Sequence, residues 1–155
     1  MSFLYVGYLV IKIISVLLIA SVFLAGCNST KVKKGKISAN SDYANVCIIH
    51  RQNPSKRPSN SIFEQLVQNS FESFGIPSTL INSNNDVQNN NCSHVLSYKI
   101  GQKRNITLKY IKLKLYRVSA SDRRFVGAVT YKETVDLNNT QMSQQTVTDL
   151  LSRII

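Results

Sequence analysis

Hydrophobic and polar positions divide the chain into three stretches of different character. Residues 4–24 form an almost continuous apolar run, broken once at Lys12. Residues 28–43 are rich in Ser, Asn and Lys and offer little to bury. From Ala44 onward apolar residues return in short blocks, each with a legible period, which predicts one globular domain over residues 44–155.

Within that domain Val46, Cys47, Ile48 and Ile49 make a compact run with β-branched members, suited to a buried strand. After a polar connection containing Pro54 and Pro58, residues Phe63, Leu66, Val67, Phe71 and Phe74 fall on one helical face and predict a helix over 62–74. Ser61 and Glu64 have capping-box spacing, Gly75 suits the C′ position, and Pro77 prevents continuation. Residues 78–81 form a second candidate strand, and the Asn-rich stretch 82–91 is expected to be a mobile loop.

From Cys92 the period changes to two. His94, Leu96, Tyr98 and Ile100 alternate with Val95, Ser97 and Lys99, and Ile111, Leu113 and Leu115 alternate with Lys112, Lys114 and Tyr116. A third strand over 125–134 completes a meander, with hairpin connections at 101–105 and 119–122. Val147, Leu150, Leu151 and Ile154 give a closing helix over 143–154. The order β-α-β-β-β-β-α, with two amphipathic helices, predicts an α+β two-layer sandwich. Its sheet should be mainly antiparallel and carry both helices on one face.

The apolar run at the front changes the picture of where the domain resides. After Lys12, residues 13–23 have the length of a signal-peptide h-region and fall short of the roughly 20 residues a spanning helix needs. The run ends in Leu24-Ala25-Gly26-Cys27. Two small residues before a cysteine let the chain lie extended in a peptidase groove, and the thiol is the acceptor for diacylglycerol. This tetrapeptide matches the bacterial lipobox at all four positions. Residues 1–26 are therefore expected to be a lipoprotein signal peptide, with Cys27 as the lipidation site. Residues 27–43 would be a flexible basic tether reaching about 20–24 Å. Asn28, where Asp would retain the protein in the inner membrane, favours the outer membrane facing the periplasm.

Charge narrows the partners. The chain holds 19 Lys and Arg against 8 Asp and Glu, a formal net charge of +11. A balance this basic favours anionic partners such as phosphorylated glycolipid or an acidic envelope protein. Nucleic acid is not expected outside the cytoplasm. Many cations lie in the meander: Lys99, Lys103, Arg104, Lys109, Lys112, Lys114, Arg117, Arg123, Arg124 and Lys132. Lys112 and Lys114 alternate against the apolar positions, so they should point away from the helices, with Tyr110 and Tyr116 on the same outer face. Those four are the candidate anionic-partner face.

Cys47 and Cys92 remain besides Cys27. In an oxidising compartment two cysteines on neighbouring strands of one small domain favour a disulfide. His50 and His94 are the only histidines, and with the cysteines bridged no ligand set for a metal remains. There is no phosphate-binding loop, dinucleotide fingerprint or nucleophile elbow. The expectation is a non-enzymatic protein without cofactor or metal.

Val46-Cys47-Ile48-Ile49, a helix ending at Gly75, Cys92-Ser93-His94-Val95-Leu96-Ser97-Tyr98, residues 127–131 and the closing helix together resemble a family of small proteobacterial lipoproteins, the Sbal-type lipoproteins. The resemblance covers most of residues 44–155 and implies a paired Cys47 and Cys92; it implies no activity. The family's aromatic–acidic pair after the cysteine strand has no counterpart in residues 102–108. The element order is also similar to that of the lipopolysaccharide-assembly lipoprotein that plugs an outer-membrane barrel, a likeness of topology from which function does not follow.

Overall fold

The computed structural model describes residues 30–34, 43–50, 58–104, 106–120 and 122–155. The expected signal peptide, Cys27 and most of the expected tether lie outside the described residues. The fold is the α+β sandwich predicted from the pattern. It has seven strands, β1 (Lys31–Lys34), β2 (Val46–Ile49), β3 (Ser78–Ile81), β4 (His94–Arg104), β5 (Thr107–Val118), β6 (Arg123–Tyr131) and β7 (Val135–Asp136). The helices are α1 (Pro58–Ser73), α2 (Asp86–Asn89) and α3 (Thr140–Ser152). The sheet order is β1-β6-β5-β4-β2-β3, with β7 paired to β5 off that path. β2 runs parallel to both β3 and β4, and every other pairing is antiparallel.

α1 is the crossover between the parallel strands β2 and β3. Its apolar stripe Phe63, Leu66, Val67 and Phe71 packs with Val147, Leu150 and Leu151 of α3 against Leu96, Tyr98, Ile111, Leu113 and Leu115 of the sheet. Gly75 ends α1 at φ +69°. Its N–H reaches the Glu72 carbonyl and that of Ile76 the Phe71 carbonyl, the bond pair of a Schellman cap. Polar contacts lock the two helices together, Gln144 Nε2 donating to Ser70 Oγ at 2.7 Å and Ser70 Oγ lying 2.9 Å from Thr148 Oγ1.

Five expectations need correction. Residues 101–104, expected as part of a hairpin connection, belong to β4, which runs to Arg104 before β5 resumes at Thr107. The stretch expected as tether contains β1, an edge strand whose backbone pairs with β6. The expected loop at 82–91 contains α2, which buries Val87. The meander's third strand ends at Tyr131 instead of continuing to Thr134, and the chain rejoins the sheet as β7. The Ser61–Glu64 capping box does not form. α1 begins four residues earlier than expected, at Pro58, where a fixed φ and a missing N–H cost nothing, so Glu64 sits inside the helix and turns into the core.

Near β2 the sheet is buried on both faces, which is why residues 46–49 read as a continuous apolar run. Val46 and Ile48 face the helices, while Cys47 joins Ile81, Val87, Cys92 and Val95 in a small second cluster under α2. Cys47 and Cys92 form a disulfide there, with Cα atoms 5.6 Å apart. No helix among the described residues is long and apolar enough to cross a membrane.

Candidate functional site

Beyond α2 the outer face of the sheet is open, and period-two alternation decides what it shows. Ile111, Leu113 and Leu115 are fully buried against the helices, so Tyr110, Lys112, Lys114 and Tyr116 project from the other side. At two residues per step, these four make a Tyr-Lys-Lys-Tyr row about 20 Å long. The register carries the row across neighbouring strands. Lys99 of β4 stands directly opposite Lys112, and Ser97 opposite Lys114. On the other flank Thr130 and Ala128 of β6 oppose Lys112 and Lys114, and β1 then places Lys31 and Lys33 beside Thr130 and Ala128.

One face thus gathers Lys31, Lys33, Lys99, Lys112 and Lys114. β1, β4, β5 and β6 contain no aspartate or glutamate. Among the described residues none of these lysines belongs to an ion pair; the pairs are His50–Glu64, Arg124–Asp122 and Arg153–Asp149. Like charges directly opposite on adjacent strands are destabilising. The Lys99–Lys112 pair is therefore a cost that no ion pair among the described residues offsets, and one that an anion would relieve.

Aromatic rings bracket the lysines. At one end Tyr110 lies over Gly101, so close that a Cβ there would come within 2.2 Å of the ring. At the other, Tyr116 packs edge-on to Phe125 with centroids 5.9 Å apart, and the Arg123 guanidinium sits 4.4 Å above the Tyr116 ring. Arg123 is held there by donating to Asn84 Oδ1 at 3.0 Å. Between the brackets Ser97, Lys99, Lys112, Lys114 and Tyr116 line a shallow depression of about 200 Å³, smaller than the roughly 300 Å³ at which small-molecule pockets begin. The geometry suits an extended anionic surface.

The structure brings together all four face residues expected from the sequence and adds Lys31, Lys33, Lys99, Arg123 and Phe125. The β1 lysines escaped the sequence because a four-residue edge strand with one apolar position carries no periodic signal. Arg117 separates from the group: it lies opposite His94, on the helix side.

His94 is 1% exposed. Its Nδ1 lies 3.0 Å from Ser93 Oγ, its ring is 4.4 Å from Tyr43, and its Nε2 has no hydrogen-bond partner among the described residues. Burial, reinforced by repulsion from Arg117, lowers its pKa from 6.5 to about 4. Because the folded value lies below the unfolded one, the unfolded state takes the proton first as the pH falls. The full stability is present above pH 6.5 and is lost progressively towards pH 4, by about 3 kcal/mol. Urea titrations at pH 7 and pH 4 should show this loss, and His94→Gln should shrink it; an equal loss in the variant would assign it elsewhere.

Glu64 is also buried and receives His50 Nδ1 at 2.7 Å and the Tyr98 hydroxyl. Among the described residues no group of three or more His, Cys, Asp or Glu could hold a metal ion.

The fold and this face together define a two-layer α+β domain with one helix-covered and one cationic side. No protein-family model matches the chain, and no curated protein matches its sequence. Among solved structures it is similar to the PelC dodecamer from Paraburkholderia phytofirmans, with TM-score 0.55 and 16% identity over 81% of this chain and 96% of that one. A single-residue variant of the same dodecamer gives TM-score 0.55 and 17% identity, covering 81% and 98%. At this identity the likeness concerns the fold.

Proposed function

We propose that this chain is a non-enzymatic lipoprotein of the bacterial envelope, anchored through Cys27 to the periplasmic side of the outer membrane, and that its open sheet face binds an anionic envelope partner. The observation that carries the binding role is the cationic face, whose strands contain no acid and in which Lys99 opposes Lys112 with no counter-charge among the described residues. The lipobox and Asn28 support the location. The non-enzymatic reading is supported by the state of the buried acid: Glu64 is only 2% exposed and engaged by His50 and Tyr98.

A second reading is a structural subunit of a secretion, conjugation or lipopolysaccharide-assembly complex. Its support is the fold likeness to a protein solved as a dodecamer. One preparation tests both. Tagged protein captured from detergent-solubilised envelopes should retain an anionic lipid or acidic protein, which the double variant Lys112→Glu, Lys114→Glu loses. An unchanged set of captured lipids and proteins would count against the face. Light scattering on the same material addresses the second reading, which a monomeric mass would contradict.

A further inference from the structure

We infer that the cationic sheet face lies flat against the anionic phospholipid headgroups of the same bilayer that holds Cys27. The inference rests on the lipoprotein reading above and names the partner of that face.

Three observations converge on it. The first is reach. β1 begins at Lys31, four residues after Cys27, and four extended residues span at most about 14 Å. Cys27 therefore has no long leash: once β1 is zipped to β6, that edge of the sheet is confined to within about one strand-length of the membrane surface.

The second is direction. By register, Lys31 and Lys33 share the face of Lys112 and Lys114. The strand next to the anchor is thus the margin of the basic surface, continuous with it across β6. The charges are also segregated. Glu72 and Asp149 sit on α1 and α3, on the opposite side of the sheet; Asp86 lies in α2, beyond the Tyr116 end of the basic face, and Asp122, Glu133 and Asp136 lie in β7 and the connections. Turning the cationic side towards an anionic leaflet turns α1 and α3, with Glu72 and Asp149, away.

The third is the composition of the face. Lys112 and Lys114 are half-buried, while Lys99 is exposed and Phe125 is 37% exposed. Lysines flanked by Tyr110, Tyr116 and Phe125 offer cations to phosphates and amphipathic rings to the headgroup layer, where such rings are enriched. A flat surface with a depression of only about 200 Å³ fits a leaflet better than a single enclosed ligand. Each lysine near a charged leaflet contributes about a fivefold preference.

The test uses the mature protein purified from membranes and reconstituted into vesicles of phosphatidylethanolamine and phosphatidylglycerol (3:1), or of phosphatidylcholine alone. A membrane-impermeant amine-acylating reagent is applied at low salt, and modification is read lysine by lysine by mass spectrometry. Lys31, Lys33, Lys99, Lys112 and Lys114 should be modified at least about fivefold more slowly on the anionic vesicles. Protection should be lost at high salt, and protection of Lys99 should also be lost in the double variant Lys112→Glu, Lys114→Glu. Equal rates on the two vesicle types overturn the inference. So does protection that persists in detergent and grows with protein concentration, which would assign the face to a second copy of the chain. The intact mass of the same preparation reports the anchor separately: absence of acyl chains on Cys27 refutes the lipoprotein reading, whereas acyl chains without lysine protection refute only the docking.

Discussion

Reduction of the Cys47–Cys92 bridge should lower the free energy of unfolding by about 4 kcal/mol, the chain-entropy value for cross-linking residues 45 apart in sequence. Single domains are stable by only about 5–15 kcal/mol, so this is a large share. The closed segment contains α1, β3 and α2, that is, the whole crossover on one side of β2 and the link to β4 on the other. α2 has a single buried residue, Val87, and depends on the small cluster around the bridge. Loss of the bridge should therefore be felt first at β3 and α2, while the β4–β5–β6 meander is retained. Guanidinium unfolding with and without reductant, alongside the double variant Cys47→Ala, Cys92→Ala, measures the total. Hydrogen exchange locates the weak point. Coincident unfolding curves for oxidised and reduced protein would show that the bridge stabilises nothing.

Glu64→Ala is expected to be of similar order, costing about 2–5 kcal/mol from the lost buried hydrogen bonds and the cavity left behind. Glu64 belongs to α1, His50 follows β2, and Tyr98 lies on β4, so one carboxylate ties three elements together. Truncation leaves the Tyr98 hydroxyl, 2% exposed as a residue, without this acceptor and opens a cavity beside Phe63, whose ring centroid is 5.2 Å from that of Tyr98. Glu64→Gln keeps an acceptor for Tyr98 and the side-chain volume, and should cost less, about 1–3 kcal/mol. Chemical denaturation of the two variants tests the order; a glutamine variant no better than the alanine one would mean that charge, and not hydrogen bonding and volume, holds the three elements.

The parts of this fold that could be foreseen are those where burial imposes a period. The strands at 46–49 and 78–81, the aromatic stripe of α1 with its Gly75 cap, and the alternating meander all bury one face or two, and their side chains record it. The cationic face was legible for the same reason: Lys112 and Lys114 alternate with fully buried Ile111, Leu113 and Leu115. What could not be foreseen is held by backbone or by local polar contacts. β1 pairs through main-chain hydrogen bonds at an exposed edge, so its Lys-Val-Lys-Lys sequence looks like solvent-facing tether. α2 is set by Asp86 Oδ2 accepting from the Ser83 N–H at 2.9 Å, amid asparagines that suggest a loop. Glu64 misled because Ser-x-x-Glu is a surface signature, and only the earlier helix start at Pro58 turns it inward. The step from tether to strand has the most consequence, because it adds Lys31 and Lys33 to the margin of the cationic face.

Lipidation of Cys27 underlies both the anchoring and the docking, and metabolic labelling with an alkyne palmitate analogue measures it. Wild-type protein expressed in a Gram-negative host should incorporate the label, fractionate with the outer membrane, and yield a mature chain beginning at Cys27; Cys27→Ser should do none of these. An unlabelled wild-type chain, or one that retains residues 1–26, would contradict the account.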